Sequence, residues 1–337
     1  MDSRKLKILS AVVDEYIVTG EPVGSKAIVS HINASSATIR NEMAELEKQG
    51  YLEQPHTSAG RIPTYKGYRL YVDTLMQTNP LTDEEKSLID SMFPSDQLTE
   101  DVIIESASTA LAELTKCATV VASNTPKFSV ISKVEVIPTG KRMYVLLLIT
   151  SSGKIQNKVC RLQFDLTHEQ LEFFSNFLRE NIEGMNVEDL SEEMLEKLQT
   201  ALGTYMMTLT PLFAEIYKMS QEMTKKQISL SGATNLLQCR DIDQNEIISF
   251  INDKEEITKL VDETFSGLHV MFSPEDEGFV INNSSFISSQ YSRGGKPAGT
   301  LGLIGPMRLD YAKFIPYLEY FTNKISDLLD EEDEDHR

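Results

Sequence analysis

The chain has 337 residues, of which 41% are hydrophobic, with 51 acidic and 32 basic side chains and a formal charge of −19. That length accommodates two or three domains, and the composition is that of an ordinary globular protein. No apolar run reaches the roughly 18 residues a membrane-spanning helix needs, and the start MDSRKLKILSAVVDEY lacks the cleavage pattern of a signal peptide.

The expected compartment is therefore the cytoplasm. Cys117, Cys160 and Cys239 are far apart, odd in number and without a CxxC spacing, so they read as free thiols rather than a disulfide framework or zinc site. The charge is unevenly spread: residues 1–75 hold nine basic and nine acidic side chains, so the remaining 262 carry the whole excess. Only the neutral front end could approach a phosphate backbone without repulsion.

Along the chain, Leu6, Leu9, Val13, Tyr16 and Ile17 mark the buried stripe of a first helix over residues 4–18, ended by Thr19-Gly20-Glu21-Pro22. A short second helix is expected from Gly24-Ser25, holding Ala27, Ile28 and Ile32. Ser35 is placed to cap a third helix whose Ile39, Met43 and Leu46 face inward. Gly50 ends it, and Tyr51–Gln54, a loop over 55–60 and Arg61–Thr64 read as a hairpin. A helix over 65–77 closes this region. Thr82-Asp-Glu-Glu85 has the form of a capping box within a connector, and residues 100–116 read as helical.

Segments 118–122, 130–137, 142–150 and 154–162 then look like one antiparallel sheet. A helical stretch over 167–226 follows, then helices over 236–266 with acidic outer faces. Strand patterns return at 268–272, 279–282 and 299–304, before a closing helix over 310–329 and an acidic tail. Strands, a helical block and more strands suggest one α+β domain split by an insertion.

Two short helices across a tight turn, the second opening with small polar residues, are the grammar of a helix-turn-helix. Lys26, Ser35 and Ser36 are placed to contact phosphate. Ala37, Thr38, Arg40 and Asn41 are placed to meet bases, Arg40 suiting guanine and Asn41 adenine. The hairpin with His56, Thr57, Ser58 and Arg61 resembles a wing, with Arg61 expected to read the groove. Glu42, Glu45, Glu47 and Glu53 count against a simple basic surface, and a helical bundle with a solvated polar face would share this pattern. His31, His56, His168, His269 and His336 have no ligand spacing, and no GxSxG occurs. No metal, cofactor or catalytic site is nominated, and no enzymatic activity is expected. A cytoplasmic enzyme remains the out-of-class alternative and would need a cleft with converging carboxylates or a Cys-His pair.

The run SSATIRNEMAELEKQGYLEQPHTSAGRIPTYKGYRLYVD at 35–73 resembles the signature of the HrcA heat-inducible transcription repressors. EPVGSKAI at 21–28, GATNLL at 232–237, SSFISSQY at 284–291 and GTLGLIGPMRLDY at 299–311 are similar to further blocks of that family. This chain departs from the family's pattern at Phe272-Ser-Pro-Glu-Asp276 and at Met307 and Leu309. The resemblance implies an α+β multidomain chain. It would have a winged helix-turn-helix at 1–78, a connector at 79–98, and a GAF-like domain in two parts, 99–165 and 241–329. A helical dimerising domain would be inserted at 166–240, and an acidic tail would occupy 330–337. It also implies repression of chaperone operons by a homodimer on an inverted-repeat operator in double-stranded DNA, with the GroE chaperonin maintaining the active form. A regulator whose GAF-like domain senses a small molecule is the alternative reading.

Overall fold

The fold is taken from a computed structural model, which describes residues 2–56, 59–94, 99–123, 129–151, 153–202, 209–224, 226–262, 267–273 and 281–335. In chain order the elements begin with α1 (Ser3–Thr19), a 3-10 turn (Val29–His31), α2 (Ser36–Lys48), β1 (Leu52–Glu53), β2 (Ile62–Pro63) and α3 (Tyr65–Leu70), which continues as a π turn through Leu75. They go on through α4 (Asp83–Ser91), α5 (Glu100–Thr115), β3 (Ala118–Ser123), β4 (Ile131–Gly140), β5 (Met143–Thr150), β6 (Ile155–Arg161), α6 (His168–Asn181), α7 (Glu192–Leu202) and α8 (Thr210–Thr224). The chain finishes with β7 (Gln227–Ser231), α9 (Ala233–Leu237), α10 (Gln244–Asn252), α11 (Lys254–Asp262), β8 (His269–Phe272), β9 (Ser284–Arg293), β10 (Lys296–Pro306) and α12 (Tyr311–Asp335).

The chain divides into two compact units, residues 1–123 with 228–337, and residues 124–227. In the first, β7-β3-β10-β9-β8 form a five-stranded sheet, with β10 antiparallel to β3 and β9 and β9 antiparallel to β8. Successive side chains of a strand face opposite ways, and both faces of this sheet are covered. Ala118, Val120 and Ala122 of β3 join Leu236, Ile247, Phe250 and Leu260 of α9–α11 in one core. Val121, with Ile287 and Leu303, faces α5 and α12 instead. That second core runs without a break into the N-terminal helices, through Ile8, Leu9, Tyr68, Phe272 and Tyr311. In the other unit, β4-β5-β6 form a three-stranded antiparallel sheet. Tyr144, Leu146 and Leu148 pack inward with Phe174, Leu178, Phe213 and Ile216 of α6 and α8.

The winged helix at the N-terminus and the mixed α/β architecture match the expected multidomain α+β class. Several details differ from the sequence reading. The four strand segments expected in one sheet split between two. The first, β3, is buried along its whole length and sits inside the large sheet, whereas β5 alternates buried and half-buried residues as a one-sided sheet does. The compact insertion therefore runs over 124–227 and carries a sheet as well as helices, in place of the helical block placed at 166–240. Ser284–Arg293 forms a full interior strand where none was expected, while of the strand placed at 279–282 the first half lies outside the described residues and Ile281 and Asn282 form a turn. The acidic run begun at Asp330 continues α12 through Asp335 rather than forming a separate tail.

Candidate nucleic-acid interface

Ser35 has extended backbone angles, and its side chain accepts from the Thr38 N–H at 3.1 Å, so it caps α2 as the sequence suggests. From that cap Ile39, Met43 and Leu46 recur at helical spacing and are buried with Ile8, Leu9, Val12 and Val13 of α1. The stripe fixes which face remains outside: Ser35, Ala37, Arg40 and Asn41 are exposed. Lys26 is exposed on the preceding turn. The expected second helix is shorter than an α-helix, a turn at 25–28 leading into the 3-10 turn.

Two of the nominated hydroxyls have internal partners. The Ser36 hydroxyl lies 2.9 Å from that of Ser25 and ties α2 to the turn before it. The Thr38 hydroxyl lies 2.9 Å from the Ser35 oxygen, inside the cap. No hydrogen bond or ion pair among the described residues engages the side chains of Lys26 or Arg40.

The glutamates of α2 are compensated one by one. Glu42 accepts from Arg4 at 2.7 Å and has Lys5 at 3.8 Å. Glu45 pairs with Lys48 at 3.1 Å, and Glu47 pairs with Arg61 at 2.8 Å. The Glu42 bond and charge raise the pKa of the Arg4 guanidinium above its ordinary value. Each carboxylate thus has a cation beside it, leaving Lys26 and Arg40 as exposed charges beside the helix start. The free N–H groups there add a partial positive charge of their own.

The wing is short. Leu52 pairs with Pro63 and Glu53 with Ile62. In the loop Ala59 donates to the His56 carbonyl at 2.9 Å, and the Gln54 side chain donates to the Ala59 carbonyl at 3.0 Å. His56 is exposed there, while Thr57 and Ser58 lie outside the described residues. The Arg61 guanidinium, expected to read the groove, lies against Glu47 on the C-terminal half of α2 and is 19% exposed. The cause is electrostatic, since a carboxylate within reach of a fork of donors captures it.

The sequence reading did not identify Arg4, Lys5 and Lys66. The first two neutralise Glu42, and Lys66 caps the C-terminus of α2 by donating to the Gln49 carbonyl at 3.0 Å while lying over the Tyr51 ring. Their partners are up to 38 residues away, so no local spacing announces them.

Two family models match the chain. Residues 2–76 fit one described as the winged helix-turn-helix transcription repressor, HrcA DNA-binding. Residues 101–315 fit the HrcA protein C terminal domain. The chain is 35% identical over 337 residues to the heat-inducible transcription repressor HrcA of Clostridium acetobutylicum, spanning 98% of each. It is 32% identical over 336 residues to the corresponding repressor of Acetivibrio thermocellus, spanning 97% of this chain and 96% of that one. A crystal structure described as a hypothetical protein is similar at a TM-score of 0.67 and 25% identity, over 98% of this chain and 99% of that one.

Proposed function

This chain belongs to the HrcA family of heat-inducible transcription repressors, and we propose that it represses chaperone operons by binding an inverted-repeat operator as a homodimer in the cytoplasm. Transcriptional repression through a DNA-binding winged helix follows from the family; the operator form, the dimer and the contacts are our reading. The observation that carries it is the outer face of α2, where exposed Arg40 and Asn41 follow a capped helix start while every glutamate of that helix has a cationic neighbour. A helix so arranged can enter the major groove with its first turns, Arg40 and Asn41 meeting base edges and Lys26, Ser35 and the helix-start N–H groups meeting phosphate. Ala37 suits contact with a thymine methyl. Ser36 and Thr38 act as supports of that edge, and His56 with the neighbouring Thr57 and Ser58 supplies the wing contact.

Dimerisation is assigned to residues 124–227. What supports it is the outer face of the three-stranded sheet, where Ile155 and Val159 are 61% and 57% exposed beside exposed Ile137 and half-buried Val145 and Ile149. An apolar face interrupted by Asn157 and the Lys133–Glu135 pair suits a two-fold partner presenting the same face. We read the five-stranded sheet and its flanking helices as the GAF-like body, and the GroE chaperonin as the partner that maintains the active form, on the strength of the family resemblance.

The test is binding of the full-length protein to duplexes it enriches from a randomised pool, measured over a salt series. The expected result is an inverted repeat bound with a steep salt slope and strong preference over random duplex. Equal affinity for all duplexes overturns the reading.

A further inference from the structure

We propose that the Glu47–Arg61 pair is a positioning device that sets the wing against the reading helix, and that Arg61 serves operator binding without touching DNA. The inference rests on the operator-reading role of α2 proposed above.

Besides its pairing with β1, the wing's returning strand is held by contacts to α2 and to the turn before it. The Arg61 guanidinium places both Nε and Nη2 2.8 Å from one Glu47 carboxylate oxygen. The Arg61 backbone exchanges two hydrogen bonds with Val23, each 2.9 Å, in the turn between α1 and α2. Beside it, Gly60 lies so close to that turn that a Cβ there would strike the backbone of Val23 and Pro22. The wing is thereby fastened to the segment that leads into α2 and to the rear half of α2 itself. The β1–β2 pairing and the Val23–Arg61 bridge fix the strand's course; the ion pair adds a tie to a different element, the rear half of α2, that neither of them supplies. Among the basic residues at the front of the chain, Arg61 is therefore committed inward, in contrast to Arg40 and Lys26.

The consequence has a sign that ordinary electrostatics does not. Removing a carboxylate from a DNA-binding domain strengthens binding, because it lowers repulsion with phosphate. If Glu47 positions the wing, its removal must weaken binding instead, because the wing is no longer held ready and must be ordered on binding.

The experiment measures Kd of the full-length protein for its enriched inverted-repeat duplex across a salt series, at a temperature where melting curves show every variant folded. Glu47→Gln and Arg61→Gln are each expected to weaken binding about tenfold, with the salt slope unchanged and the double variant no worse than either single one. Exchanging the two charges, Glu47→Arg with Arg61→Glu, is expected to recover part of the loss, which a general loss of stability would not do. Tighter binding by Glu47→Gln overturns the proposal, as does a fall of about one in the salt slope for Arg61→Gln, the mark of a lost phosphate contact. Wild-type protein that enriches no inverted repeat overturns the operator reading itself, and the role of the pair with it.

Discussion

Arg69, on the helix that follows the wing, donates to the Val270 carbonyl at 2.6 Å, and its guanidinium carbon lies 4.8 Å from the centre of the Phe272 ring two residues on. Around that ring, Tyr65 and Tyr68 from α3 and Tyr311 from α12 have their centroids 5.9 to 6.3 Å away. Nearby, the Arg308 guanidinium packs on Gly20, the left-handed residue that ends α1, while also holding Asp241. The DNA-binding head therefore shares the interior of the body and is not a bead on a linker.

Phe272→Ala is accordingly expected to cost about 3–5 kcal/mol and to loosen the head together with the sheet. Hydrogen exchange should show α1, α3 and β9 losing protection in step. Loss confined to β8 and β9, with α1 and α3 unchanged, would show the head to be independently stable.

Arg40→Ala is expected to lower affinity for the enriched inverted repeat by about 1–3 kcal/mol, with a far smaller loss on random duplex. Competition titrations at one salt concentration distinguish the cases. An equal loss on both duplexes assigns Arg40 to the phosphate backbone.

Ile155→Lys with Val159→Lys places two charges on the open face of the three-stranded sheet. Because both side chains are exposed in the single chain, the fold should survive while the sedimentation coefficient falls to that of a monomer. Operator affinity should fall with it, since a linked second half-site contact is lost. An unchanged dimer places the interface elsewhere.

The buried thiols report which unit opens on heating. Burial pushes the Cys117 thiol up to about 12, and burial also raises Cys160. An unfolded thiol ionises near 8.5. Both groups thus contribute stability that is fully present below about pH 8.5 and is lost as pH rises through the folded values. At pH 8 neither reacts until its surroundings open. Cys160 belongs to the separate core of residues 124–227, Cys117 to the core shared by head and body. The smaller, separate core should open at the lower free energy, so thiol labelling during a temperature ramp should reach Cys160 before Cys117. The reverse order would make the head and body the heat-labile element.

What could be read from the sequence was what is settled within a turn or two of chain. The Ser35 cap and the Ile39, Met43, Leu46 stripe are local, and so the reading helix and its outer face were visible. The Thr82–Glu85 capping box was visible for the same reason and is present. Strand partnership is not local: Ala118 finds Ile304 and Ser123 finds Gly299, and nothing in residues 118–162 says that the first strand leaves the other three. The β9 strand was hidden by its serines, which have no pronounced strand preference. Two of them are tolerable inside because their hydroxyls find partners, Ser289 with Thr322 at 3.3 Å and Ser285 with the Pro306 carbonyl at 3.3 Å. The Arg61–Glu47 pair was not legible because its carboxylate lies across the wing, 14 residues back.

The inserted residues leave from the end of β3 and return through β7, and those two strands are neighbours in the five-stranded sheet. Insertion at such a point breaks no strand pairing, because both junctions fall where the sheet already needs a connection. Residues 124–227 are therefore a passenger between adjacent strands, accommodated without a change to the interior that carries the reading head. A shortened chain with a turn in their place would keep its sheet order and its head, and would be the simplest molecule in which to ask what residues 124–227 add to recognition.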